Sequence, residues 1–283
     1  MLPPVATTIA ETRARVAVAR KAGRRIGFVP TMGALHAGHA ALIRAARTEC
    51  DYAVVSIFVN PTQFGANEDF ARYPRTLDAD RELCGAVGTD LLFAPTAEEM
   101  YPPDSRTFVE VSGVQDVLCG ASRPGHFRGV ATVVLKLLNI VQPDVAYFGQ
   151  KDAQQSVVIH RMVKDLNVPV TIHVHPTVRE PDGLAMSSRN RYLDPTQRMH
   201  ATSLHRTLKK VEELFARGER RIAELEREMS AILTATPGAR VDYARVVDAE
   251  TLDAISQIER PALAAVAVFF GTTRLIDNTL LTP

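Results

Sequence analysis

"IGFVPTMGALHAGHAALIRAARTEC", residues 26–50, opens on an apolar run of strand length and closes on a helical repeat, with two glycines and two histidines at the junction. In the closing part Leu42, Ile43 and Ala46 share one side of a helix, while Arg44 and Arg47 turn toward solvent. A strand feeding a helix in this way is the building block of an α/β fold, and the pattern recurs. Apolar runs at 52–59, 90–94, 145–148 and 170–174 alternate with segments of helical period. "DAQQSVVIHRMVKDLN" puts Val158, Ile159, Met162 and Leu166 on one stripe, and Pro169 stops it. The expected fold class is therefore α/β, a parallel sheet with helices on both faces and ligands at the carboxyl ends of its strands.

The pattern changes after about residue 177. "VREPDGLAMSSRNRYLDP" is polar and rich in turn residues; helical segments follow at about 195–216 and 219–235, parted by Gly218, and the chain end reads as strands. The spacing predicts a larger domain over 1–177 and a smaller C-terminal α+β domain over 178–283, hinged near residue 178.

With 283 residues and 46% hydrophobic content the chain can bury a sizeable core. Its 33 basic and 32 acidic residues give a formal charge of +1, which argues against a nucleic-acid or anionic-lipid partner and toward a small substrate. The N-terminal stretch lacks the apolar core of a signal peptide, and no run approaches a membrane span. A cytoplasmic protein is expected. Cys50, Cys84 and Cys119 fit no zinc or disulfide spacing and read as reduced packing residues.

Five stretches can carry chemistry. At 30–39, unpaired amides at a strand–helix junction favour an anion, and Gly33 and Gly38 let a phosphate approach. His36 and His39, three apart, would face the same ligand and could donate hydrogen bonds to phosphoryl oxygens; a helix-capping loop or half of a metal site is the plainer reading. In "FGQKDAQQ", 148–155, Lys151 is a point charge suited to phosphate, Asp152 can cap the helix or hold a ribose hydroxyl, and Gln155 lies one turn on. "AMSSRNRYL", 185–193, offers two hydroxyls with Arg189 and Arg191 as an anion clamp, or an ordinary surface turn.

"VNPTQFGANEDFARYPRTLDAD", 59–80, is long for a strand-to-helix connection. Its Gln63 amide suits a hydroxyl or carboxylate, with Asn60 and Phe64 beside it. Asp78 and Asp80 either help hold magnesium or open a helix. In "RPGHFRGVATVVLKLLNIVQPD", 123–144, Val133, Val134, Leu137, Leu138 and Val141 suit a core, while Arg123 and His126 would sit at the cleft edge. "HVH", His173 and His175, is read as structural.

These stretches, in this order and spacing, resemble the pantothenate synthetase family, ligases that join pantoate to β-alanine within the nucleotidyltransferase superfamily. The likeness runs from about residue 24 to 193, with a weaker likeness to the chain end. His36, Ala37, Gly38 and His39 match the superfamily's H-x-G-H motif; Met186, Ser187, Ser188 and Arg189 match its KMSKS-like loop loosely. The resemblance implies a Rossmann-like first domain, a small lid domain, a homodimer joined through the larger domain, and Mg·ATP as co-substrate with no organic cofactor. It implies a pantoyl-adenylate intermediate. It places ATP on Met32, Gly33, Ala34, Leu35, His36, Ala37, Gly38 and His39, on Gly149, Gln150, Lys151 and Asp152, on Val178 at the adenine, and on residues 186–189. His39 becomes a proton donor with His36 beside it, Lys151, Ser187, Ser188 and Arg189 complete the catalytic set, and Gln63 and Gln155 hold pantoate, with Asn60, His126 and Arg123 nearby.

Carboxylate attack on phosphorus needs no base, because the acid is already ionised at neutral pH. His39 is thus expected to stabilise charge in the first step. The competing readings are a nucleotidyltransferase acting on a phosphorylated acceptor, an aminoacyl-tRNA synthetase, which near-neutral charge disfavours, and a catalytically silent nucleotide sensor.

Overall fold

The computed structural model describes residues 1–65 and 68–283. Strands β1 (Val5–Ala6), β2 (Ile26–Thr31), β3 (Tyr52–Ile57), β4 (Leu91–Phe93), β5 (Val145–Gly149) and β6 (Thr171–His175) form one parallel sheet in the order β1-β4-β3-β2-β5-β6. The helices of this region are α1 (Ile9–Lys21), α2 (Ala37–Glu49), α3 (Leu77–Ala86), the single turns α4 (Ala97–Met100) and α5 (Cys119–Ser122), α6 (His126–Val141) and α7 (Ala153–Asp165).

Period-two alternation distributes the strand side chains between two cores. Ile26 and Phe28 of β2, with Ala146 and Phe148 of β5, pack against α1, α6 and α7. Val29, Val145 and Tyr147 turn the other way onto Leu42, Ile43 and Ala46 of α2. Each fully buried side chain of this size contributes about 2 kcal/mol. Helices therefore cover both faces, as the sequence pattern requires. Cys50, Cys84 and Cys119 are free and buried within these cores.

The chain runs outward through β3 and β4 on one side of β2 and through β6 on the other side of β5. The crevice above the carboxyl ends of β2 and β5 is thus the switch point at which an open parallel sheet binds ligands. Two-residue β1, which no periodicity could reveal, finishes the far edge beside β4.

The second region holds α8 (Pro195–Ala201), α9 (Ser203–Ala216), α10 (Ile222–Thr234) and an antiparallel sheet of β7 (Ala239–Asp248), β8 (Ala262–Phe270) and β9 (Thr273–Leu281). The single helix expected over 195–216 is two, parted at Thr202, whose amide closes a tighter turn onto the Met199 carbonyl. Ala264, Val266 and Val268 of β8 pack beneath Leu204, Leu225 and Met229. Leu263 and Ala265, on its other face, join the core of the first region, so the two regions share a packed seam. Among the described residues no helix is long and apolar enough to cross a membrane.

Candidate active site

At the end of β2 the chain turns into α2 with His36 as the N-cap residue. The Gly38 amide donates to His36 Nδ1 at 3.1 Å, and the His36 amide donates to His39 Nδ1 at 3.3 Å. Both Nδ1 atoms are acceptors, so each ring carries its proton on Nε2. Burial, and then Lys151, pushes His36 down to about 4; burial, and then His36, pushes His39 down to about 3. Both imidazoles are therefore neutral at pH 7. Their centroids lie 4.2 Å apart. Gly38 is part of this device, since a Cβ there would stand 2.9 Å from His36 Cε1 and force the ring away.

Both histidines line a cleft whose other walls come from three loops. Gly149, Lys151, Asp152 and Gln155 approach from the β5–α7 junction, and Val178, Met186, Ser187, Ser188 and Arg189 from the loops after β6. Asp152 makes no side-chain cap bond; its carboxylate lies 3.4 Å from Lys151 Nζ. The Val178 carbonyl accepts from the Met186 amide at 3.0 Å, which ties the two parts of the last wall together. Arg189 donates to Asp69 at 3.1 Å, and its guanidinium lies over the Tyr73 ring, 5.9 Å from the centroid. Burial works against the charge on Arg189, and Asp69 outweighs it.

Gln63 closes the fourth side. Asn60 donates to Gln63 Oε1 at 2.9 Å and to the Gly129 carbonyl at 3.1 Å, so the Gln63 amide nitrogen is the end offered to a ligand. Asn60 Oδ1 in turn accepts from the Thr62 amide and hydroxyl. The turn rests directly on α6: a Cβ at Gly129 would lie 2.3 Å from the Thr62 carbonyl oxygen. His126 lines the cleft behind Gln63, with Nε2 facing Arg123 at 3.0 Å and Nδ1 facing the Gln63 carbonyl at 2.8 Å. Since arginine can only donate, His126 is the Nδ1–H tautomer, opposite to His36 and His39. Arg123 is also clamped on Glu68 by two bonds of 2.7 and 2.6 Å.

The structure does not bring every expected residue to the cleft. Asn60 is fully buried with its amide engaged at both ends, so it supports Gln63 and does not face the cleft. Gly33, Ala34 and Leu35 lie beneath the cleft wall, with the amides of Ala34 and Leu35 taken by Asp80; Ala37 points to solvent; and the Gln150 side chain bonds Asn278 of β9 at 2.9 Å. Of that segment Met32, His36, Gly38 and His39 line the cleft. Asp78 and Asp80 do not form a pair: Asp78 is exposed, and Asp80 is 2% exposed and turned inward. Among the described residues no group of three or more His, Cys, Asp or Glu is placed to hold a metal ion. The long 59–80 connection is folded into short 3-10 turns at Pro61–Gln63 and Asp69–Arg72; positions 66 and 67 lie outside the described residues.

The sequence reading missed an apolar floor. Phe58, Val130, Val133 and Val134 line the cleft beside Gln63 and Tyr73. The periodicity of α6 marks the valines as buried, and nothing in it distinguishes a core position from a cleft position.

Comparison with known proteins bears on this site. Residues 4–280 match the family described as pantoate-beta-alanine ligase. The pantothenate synthetase of Moorella thermoacetica is 59% identical over 274 residues, covering 97% of each chain. The crystal structure of pantothenate synthetase from Thermus thermophilus superimposes with a TM-score of 0.94 at 48% identity, covering 99% of each chain. That of the pantoate-beta-alanine ligase from Francisella tularensis, complexed with beta-gamma ATP and beta-alanine, does so with a TM-score of 0.78 at 36% identity, covering 98% of this chain and 97% of the other.

Proposed function

Since this chain belongs to the pantoate–β-alanine ligase family, we propose that the cleft over β2 and β5 is where it carries out both steps of that family's reaction. The enzyme condenses (R)-pantoate with β-alanine, using ATP, to give pantothenate, AMP and pyrophosphate through pantoyl adenylate. One observation carries the assignment of the site: two neutral Nε2–H donors, the cations Lys151 and Arg189, and two uncharged amides, Gln63 and Gln155, converge on one crevice.

In the first step a pantoate carboxylate oxygen bonds to the α-phosphorus of ATP as the bond to pyrophosphate breaks. No proton moves at the nucleophile, which is already an anion. Charge grows on the α-phosphoryl and leaving oxygens; His36 and His39 supply donors to them without reorganising, and Lys151 and Arg189 supply positive charge. With the ring held neutral in the ligand-free cleft and its proton on Nε2, His39 enters the step as a hydrogen-bond donor. Gln63 and Gln155 hold pantoate, Gln63 through its amide nitrogen, and the apolar floor of Phe58, Val130 and Val133 suits the dimethyl carbon. In the second step the free amine of β-alanine bonds to the acyl carbon, the bond from that carbon to the bridging oxygen breaks so that AMP leaves with that oxygen, and the amine loses a proton to solvent.

Magnesium is proposed to arrive on the ATP phosphates, where it offsets their charge; Asp152 is the carboxylate lining the same cleft. A cytoplasmic homodimer follows from the family resemblance, and a sedimentation mass twice that of the chain would support the dimer. The test of the site's function is ATP–pyrophosphate isotope exchange with pantoate present and β-alanine absent. Pantoate-dependent exchange is the expected result. No exchange, with no AMP even after β-alanine is added, would contradict it and favour nucleotidyl transfer to another acceptor.

A further inference from the structure

We propose that Asp80 is a positioning residue for the adenylation step, acting through the loop that carries both histidines. The proposal deepens the reading of the cleft given above and rests on it. Gly33 and Ala34 stand in succession at φ +80° and +51°, a left-handed pair in a loop that leads directly into His36. The turn brings two successive amides onto one carboxylate, that of Asp80: Oδ2 accepts from the Ala34 amide at 3.0 Å and Oδ1 from the Leu35 amide at 2.7 Å. The Thr76 hydroxyl donates to Oδ2 at 3.3 Å, and the Asp80 amide donates to the Thr76 carbonyl at 2.9 Å, so the anchor is itself fixed at the start of α3. On the other side of the loop the Thr31 hydroxyl donates to the Ser56 carbonyl at 2.7 Å and accepts from the Gly33 amide at 3.2 Å.

The geometry has two consequences. A substrate phosphate does not use the Ala34 and Leu35 amides, because a carboxylate that is 2% exposed already occupies them. The next residue is His36, whose amide orients His39, so the position of both Nε2–H groups is inherited from the Asp80 anchor. An amide in place of the carboxylate would set its NH₂ against a buried backbone N–H and leave one donor without a partner.

The test is Asp80→Asn, with each half-reaction measured well below the variant's own melting temperature. Adenylate formation, read by pyrophosphate exchange, is expected to fall by about 10- to 100-fold through misplacement of the histidines. Attack of β-alanine on supplied pantoyl adenylate is expected to change by less than about threefold, because that step needs fewer donors on the phosphoryl oxygens. An equal fall in both half-reactions would overturn the proposal in favour of general destabilisation. Recovery of exchange at raised magnesium would overturn it in favour of a metal ligand. Wild-type enzyme lacking exchange would instead defeat the reading of the cleft, a result distinguishable from either. If Asp80→Asn does not fold, Thr76→Ala removes one bond to Asp80; a selective loss of about twofold in adenylation supports the anchor, and unchanged adenylation overturns it.

Discussion

Residues 31–39 and the facing loop at 186–192 meet across one cleft but are held in different ways. The first is fixed by Thr31, by the two imidazole–amide bonds and by the Asp80 carboxylate buried beneath it. The second, besides bonds of its own, leans on the Arg189–Asp69 pair, a contact made across the cleft. On the proposed reading, incoming phosphates compete directly for Arg189 and cannot compete for the Ala34 and Leu35 amides. That reading makes the first wall ready for charge before substrate arrives, while the second exchanges a carboxylate partner for a phosphate when it does.

Breaking the first wall has the largest expected effect. His39→Ala, and His36→Ala beside it, should each slow adenylate formation by about 10²- to 10³-fold, as loss of a preorganised donor does. Attack of β-alanine on supplied pantoyl adenylate should be slowed far less; single-turnover measurements of the two half-reactions check this, and equal slowing would show that the histidines serve both steps. Gly38→Ala comes next. Its Cβ would displace the His36 ring, and a loss of about tenfold in adenylation is expected. Losing the His36 cap costs about 1 kcal/mol and offsets alanine's helix preference of similar size, so activity should fall with little change in melting temperature. A melting temperature and a rate that fall together would point to simple damage.

A third effect is on stability. The unfolded histidines take up protons near their ordinary value of 6.5, whereas folded His36 and His39 wait until about 4 and about 3. The unfolded chain thus binds more protons in between, and the contribution is complete above about 6.5 and is lost as the pH falls toward about 4. Thermal melts of the ligand-free enzyme should decline over that window, and His39→Gln should decline less steeply. Parallel curves would deny the neutral, buried state of His39. The smallest effect concerns the second wall: Asp69→Asn frees Arg189 for the phosphates and should lower the KM for ATP by about two- to fivefold with little change in kcat. A raised KM would show that Asp69 organises Arg189 and does not compete with it.

Much of this was legible in the residues. Alternating apolar runs announced the parallel sheet, and His36, Gly38, His39, Lys151, Gln155, Gln63 and the 186–189 loop all line the cleft. Direction was harder to read. Asp80 and Asp78 look alike in the sequence, two residues apart at a helix start, yet that spacing turns one inward and the other to solvent. Asn60 and Gln63 likewise differ only in which one the Gly129 contact buries. Such assignments depend on neighbours distant in the chain, Thr76 aside, and no local pattern contains them.

The most direct test of the account is the protonation of the two cleft histidines, read from long-range ¹H–¹⁵N spectra of histidine-labelled enzyme at pH 7, with His36→Gln and His39→Gln to assign the signals. Both rings are predicted to be neutral with the proton on Nε2. A doubly protonated ring, or a proton on Nδ1 of either, would contradict it.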